Sequence, residues 1–191
     1  MKVVCLLGSP RVRGNSEQLA EEIMIPLQEK GAEIKSYHLN KLTYKGCQAC
    51  MACKTKQDTC ILKDELTEVM NEVKEAEVLI LASPVYYGDV TGQMKCFIDR
   101  TFEYLVPDYI TAEVPSRLPV GKRCAVVLVQ GAPSEAQFSD VFPRYKGFLD
   151  WYGFSEVHEV RACGVHAKGS VKENEEVLKR AKTVGKALAS E

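Results

Sequence analysis

Three short stretches constrain this chain more than anything else in it. Lys2–Leu7 (KVVCLL), Val78–Ala82 (VLILA) and Cys124–Val129 (CAVVLV) are nearly continuous apolar runs with little polar alternation. Runs of that length and kind suit strands buried on both faces of a sheet. Segments of helical spacing separate them. Ser16–Lys30 carries Leu19, Ala20, Ile23, Met24 and Leu27 and is closed by Gly31, with Pro26 expected to kink or shorten it. Leu66–Glu75, Gln93–Phe102, Phe138–Trp151 and Asn174–Ala189 read as further helices, and Ala32–Leu39 and Val157–Cys163 as two more polar strands. Five strands alternating with five helices predict a doubly wound α/β fold, its parallel sheet covered on both faces by right-handed crossovers. Ligands in such sheets bind at the carboxyl ends of the strands, near the point where strand order reverses.

The 191 residues suit a single domain, 1–191, and neither a linker nor an internal repeat divides them. Lys plus Arg number 25 and Asp plus Glu 26, a net charge of -1 that gives no electrostatic case for nucleic acid or anionic membrane. The apolar run before Gly8 is shorter than the roughly 7–15 residues of a signal-peptide core. No run approaches the roughly 18 apolar residues of a membrane span. A cytoplasmic, reducing setting is the expectation.

The loops after the strands carry the chemistry. Gly8-Ser9-Pro10-Arg11-Val12-Arg13-Gly14-Asn15-Ser16 leads from the first strand into a helix. Its small and hydroxyl residues let backbone N–H groups approach an anion at the positive end of that helix. Ser9, Arg11, Gly14, Asn15 and Ser16 thus form a candidate phosphate cradle, the plainer reading being a turn capped by Ser16. It lacks the ending of a Walker A loop and the spacing of a dinucleotide fingerprint. After the third strand, Ser83-Pro84-Val85-Tyr86-Tyr87-Gly88 offers two aromatic faces beside an irregular turn, or a tyrosine that merely caps the sheet. Together the two loops suggest a mononucleotide, phosphate at one strand end and ring at the next. Gln130-Gly131-Ala132-Pro133 after the fourth strand fits a third wall.

Four of the eight cysteines fall between Cys47 and Cys60. Cys47, Cys50, Cys53 and Cys60 follow a C-x2-C-x2-C-x6-C pattern. Three thiolates at that spacing wrap one face of a compact inorganic core, as the opening cysteines of bacterial ferredoxins do. Structural zinc prefers two separated pairs, and zinc or a metal-free dithiol remain the alternatives. Lys41, Lys45, Lys54, Lys56 and Lys63 surround the loop and would soften the charge of four thiolates, or simply be solvated. Cys5 and Cys124 lie in strand runs and read as packing, as do Cys96 and Cys163. His166, after the fifth strand, could face the site but reads first as structural. The long segment 106–121, with Pro107, Pro115 and Pro119, is expected at a subunit interface or over the pocket.

These motifs, with Lys95 and Asp99-Arg100, resemble the iron–sulfur flavoprotein family, part of the flavodoxin-like NADPH-dependent FMN reductase group. The resemblance covers nearly the whole chain. It implies a five-stranded sheet of order 2-1-3-4-5 and FMN as cofactor, with Ser9, Arg11, Asn15 and Ser16 at the phosphate. Pro84, Val85, Tyr86, Tyr87 and Gly88 would line the isoalloxazine, with Gly131 as the further wall. A [4Fe-4S] cluster on the four cysteines and assembly as a homodimer or homotetramer are also implied. The function expected is electron transfer from a ferredoxin-like donor through the cluster and FMN to a small acceptor. Two alternatives stay open: an NAD(P)H-dependent FMN or quinone reductase without a functional cluster, and a zinc-stabilised nucleotide-binding regulator.

Overall fold

The computed structural model describes residues 1–190. β1 (Lys2–Leu7), β2 (Glu33–His38), β3 (Val78–Pro84), β4 (Arg123–Val129) and β5 (Glu156–Ala162) form one sheet in the order β2-β1-β3-β4-β5. Every pairing is parallel. This is the flavodoxin-like order expected. The helices are α1 (Asn15–Glu29), α2 (Ala52–Thr55), α3 (Leu66–Glu75), α4 (Gly92–Arg100), α5 (Val141–Trp151) and α6 (Glu175–Leu188). The short α2, inside the cysteine loop, has no apolar periodicity and was not expected.

The strand alternation divides the core in two. Val3, Cys5 and Leu7 of β1 join Leu19, Ile23 and Leu27 of α1 and Ala181, Val184 and Leu188 of α6 on one face. Val4 and Leu6 join Leu66, Met70, Phe97, Tyr145 and Leu149, from α3, α4 and α5, on the other. Each large aliphatic so buried contributes roughly 1.5–3 kcal/mol. A Cβ at Gly185 would lie 2.3 Å from the Ile23 carbonyl oxygen, so the glycine lets α6 and α1 pack backbone to backbone.

Pro26 does not shorten α1. The helix runs on to Glu29, the proline is buried, and Lys30 N–H reaches the Pro26 carbonyl at 3.3 Å. The proline lies near the helix end, so its missing N–H removes one bond from the last turns while its ring adds to the apolar face. α5 starts three residues later than the spacing suggests, because Phe138 takes φ 66° and breaks the helical path. The chain steps from β1 out to β2 and back across to β3, opening a crevice between the carboxyl ends of β1 and β3.

Candidate functional site

A cavity of about 160 Å³ occupies that crevice. Ser9, Arg11, Gly14, Asn15, Ser16, Pro84, Val85, Tyr86 and Gly131 line it, joined by Val129, Val165, His166 and Lys168. Tyr87 and Gly88 do not line this cavity. They form the tip of a two-residue hairpin turn, φ 51° and 79°, closed by Tyr86 N–H to Asp89 O at 2.8 Å and Asp89 N–H to Tyr86 O at 3.1 Å. That mirror-image turn favours Asn-Gly, so a tyrosine at its first position is strained and is presented wholly to solvent.

Asn15 is placed differently from the sequence expectation. Its Nδ2 donates to Ala167 O at 2.8 Å, while Oδ1 accepts from Gly169 N–H at 2.8 Å and Val171 N–H at 3.4 Å. The amide thus ties down the segment that carries His166 and Lys168, and is not free to meet an anion. Gly14 precedes α1 without a side-chain cap, so N–H groups of the first turn stay available to a ligand. Arg11 Nη1 donates to His166 O at 3.3 Å. His166, which read first as structural, lies so close to Gly131 that a Cβ there would be 2.5 Å from its ring.

Two further supports escaped the sequence reading. Thr91, fully buried, donates its hydroxyl to Gly8 O at 2.7 Å and accepts from Met94 N–H at 3.3 Å. It ties the first loop to the third; its signal was a threonine just ahead of a helical pattern. Gln130 Nε2 donates to Ala132, Ser134 and Gln137 carbonyls at 3.0, 3.0 and 3.2 Å and so shapes the loop after β4. Across the Tyr86–Asp89 turn, burial opposes the Asp89 charge. Hydrogen bonds from Tyr145, Val90 N–H and Arg144 outweigh it and hold the carboxyl below its ordinary range.

All four cysteines of the loop, Cys47, Cys50, Cys53 and Cys60, line a second, smaller recess with Arg100, Phe102 and Glu103. Ala49 and Met51, either side of Cys50, both take left-handed backbone (φ 52° and 57°), a strain typical of ligand loops. Ala49 N–H points at Cys47 Sγ at 3.4 Å, and Cys60 N–H donates to Glu103 Oε2 at 2.8 Å. Arg100 is 2% exposed and donates to Asp64 at 2.9 Å and Lys45 O at 3.0 Å; its buried Nε has no partner among the described residues. Among the described residues, no three His, Cys, Asp or Glu side chains gather at the spacing of a single metal ion. Of the five lysines around the loop, only Lys54 is buried.

A third cavity, about 720 Å³, runs along α4 and α5 and takes in Cys47 and Ala49 together with Phe102, Tyr109, Phe148 and Trp151. Tyr109 meets Phe102 and Trp151 edge-on, both at 5.5 Å between centroids. Segment 106–121 therefore closes against the cysteine side of the molecule, and none of it lines the crevice between β1 and β3.

The family model described as NADPH-dependent FMN reductase matches residues 1–141. The chain belongs to that family. The match takes in the loops after β1, β3 and β4 as well as the four cysteines between Cys47 and Cys60. An iron-sulfur flavoprotein of Archaeoglobus fulgidus is 39% identical over 104 residues, 54% of this chain and 47% of that protein. One from Methanocaldococcus jannaschii is 33% identical over 121 residues, 63% and 62% of the two. The chain thus spans about half the length of the first relative and under two thirds of the second. An NAD(P)H:quinone oxidoreductase structure from Methanothermobacter marburgensis superposes with a TM-score of 0.75 over 100% of this chain and 97% of that one, at 18% identity. The shared fold and the iron–sulfur flavoprotein resemblance read from the motifs are both borne out. No helix among the described residues is long and apolar enough to cross a membrane.

Proposed function

We propose that this protein is an FMN-dependent electron-transfer oxidoreductase that carries a [4Fe-4S] cluster and delivers electrons from a ferredoxin-type donor to a small acceptor. The observation that carries this reading is the pairing, in one chain, of a strand-end cavity suited to a mononucleotide with four cysteines around one recess. When bound, such a cluster passes electrons singly and FMN holds one or two.

The chain's own residues divide the work. Ser9, Ser16, Arg11 and the uncapped start of α1 would hold the phosphate, with Lys168 adding charge. Gly14 lets that loop close, since a Cβ there would sit 3.0 Å from Arg11 O. Asn15 keeps the 167–171 segment against the cavity. Pro84, Val85, Tyr86 and Gly131 would flank the ring, and Tyr87 and Gly88 would reach its outer edge from the turn. Cys47, Cys50, Cys53 and Cys60 would ligate the cluster. The orphaned Arg100 Nε and the Ala49 N–H, both on residues that line the recess, would supply donors to a sulfur-rich core. The compact C-x2-C-x2-C run suits a cluster better than the two separated pairs of a structural zinc, and so speaks against the zinc-stabilised regulator.

The test is anaerobic purification of the protein and of Cys50→Ser. The wild-type spectrum should show flavin bands over a broad iron–sulfur absorbance, and the variant should keep the flavin while losing iron. A protein that binds FMN no better than adenosine would overturn the reading.

The family's description favours one competing reading, a reductase that takes hydride from NAD(P)H and passes it to FMN or a quinone. Stopped-flow mixing with NADPH separates the two: rapid flavin bleaching supports the reductase, and its absence supports a protein donor. We further place the protein in the cytoplasm, where its eight free cysteines stay reduced. It would act as one domain with functional insertions at 46–60 and 106–121. Assembly into a homodimer or homotetramer would cover the exposed Phe148, Trp151 and Ile110.

A further inference from the structure

We propose that Lys54 raises the reduction potential of the cysteine-held cluster by keeping a buried positive charge against Cys53; the inference rests on the cluster reading above. Lys54 is 8% exposed, and its ammonium lies 3.6 Å from Cys53 Sγ. It donates to Phe102 O at 2.5 Å and Leu105 O at 2.8 Å and stands 4.2 Å above the Phe102 ring. These contacts hold it in one place, out of water. The four other lysines of the loop are exposed.

The surroundings do not cancel this charge. Arg117 adds a second cation, donating to Cys53 O at 3.2 Å, Glu103 O at 2.6 Å and Leu105 O; its own anionic partner, Asp58 at 3.2 Å, is exposed and so offsets it only weakly. Glu103, the buried anion nearby, is paired with Lys74 at 2.9 Å and holds Cys60 N–H. An electron arriving at a core bound by four thiolates adds one negative charge. A fixed cation in a low-dielectric wall stabilises that more negative state, and salt screens it little. Exposed lysines do this weakly.

The sign of the effect separates charge from structure. Lys54→Met removes the cation and should lower the cluster's midpoint potential. A merely structural role would admit water on substitution, solvate the reduced state better and raise the potential instead. Lys54→Arg keeps the charge and should restore most of the shift.

The experiment is a mediated redox titration, read by electron paramagnetic resonance, of wild type, Lys54→Met, Lys54→Arg and Lys56→Met, each assayed for iron and sulfide. Lys56, on the same loop but exposed, is the control. A lowered potential for Lys54→Met, with Lys54→Arg and Lys56→Met near wild type, supports the inference. If Lys54→Met loses its cluster, Lys54→Gln takes its place with the same expected sign. A potential unmoved or raised in cluster-bearing Lys54→Met or Lys54→Gln, or lowered as much in Lys56→Met or Lys54→Arg, overturns this inference alone. A wild-type protein without iron and sulfide overturns the cluster reading and this inference with it.

Discussion

Asn15 and Gly169, 154 residues apart, are joined by a hydrogen bond from the Gly169 N–H to Asn15 Oδ1 at 2.8 Å. The same amide donates to Ala167 O at 2.8 Å, so the first turn of α1 and the segment after β5 form one wall of the cavity. Asn15→Ala should cost about 1–3 kcal/mol through backbone groups left unpaired. It should also weaken FMN binding by about tenfold, the equivalent of roughly 1.4 kcal/mol, as His166 and Lys168 drift. Asn15→Asp, which cannot donate to Ala167 O and adds negative charge near the phosphate, should bind worse still. Thermal unfolding and fluorescence titration with FMN check both effects.

Gly131 and His166 test where the loop after β4 meets that wall. An added Cβ would meet the imidazole at 2.5 Å, yet His166 is exposed and its ring can turn away. Gly131→Ala should therefore leave stability within about 1 kcal/mol of wild type, as surface changes usually do, while weakening FMN binding. Adding His166→Ala to Gly131→Ala should recover part of the affinity if the clash alone is responsible. Titration of the single and double variants decides it.

Much of this architecture is legible from sequence because it depends on local pattern. Val78–Ala82 has one way to bury five apolar residues in a row, and Leu66–Glu75 shows its apolar face at helical spacing. The loops after β1 and β3 fall at the strand ends that an open parallel sheet leaves for ligands. What stayed hidden depends on distant partners. Nothing near Asn15 in the chain announces that its amide is committed to residues 167–171. Lys54 looks like its four exposed neighbours until residues 102–105 fold over it, and Arg100 looks like any helix-end arginine. The turn that carries Tyr87 out of the cavity is held from α5, through Tyr145 Oη to Asp89 at 2.6 Å.

Gly185→Leu should destabilise the fold strongly. Even an alanine Cβ would meet Ile23 O at 2.3 Å, and this obstacle is backbone that no rotamer change relieves. Overpacking of this kind costs typically 1–3 kcal/mol, and the larger leucine should reach or exceed the top of that range. Urea unfolding measures it, and a midpoint unchanged from wild type would contradict the close packing of α1 and α6.

Alkaline pH should erode stability through buried acids. Burial pushes the Cys5 thiol up to about 12 from its ordinary 9.0, and the Tyr152 phenol up to about 12 from 10.0. Both groups are neutral in the fold where the unfolded chain has lost the proton. Their contribution is complete below pH 9 and is lost as pH rises towards 12. Lys122, which burial holds down to about 8, works the other way between pH 8 and its ordinary 10.5. Cys5→Ala should flatten the fall between pH 9.5 and 11 by up to one proton, about 1.4 kcal/mol per pH unit. Urea unfolding across that range shows the slope.

That one chain holds both a flavin and a cluster is tested by the content of iron, acid-labile sulfide and FMN in protein purified without oxygen. About four iron, four sulfide and one FMN per chain are expected. One zinc per chain in a colourless protein would contradict that.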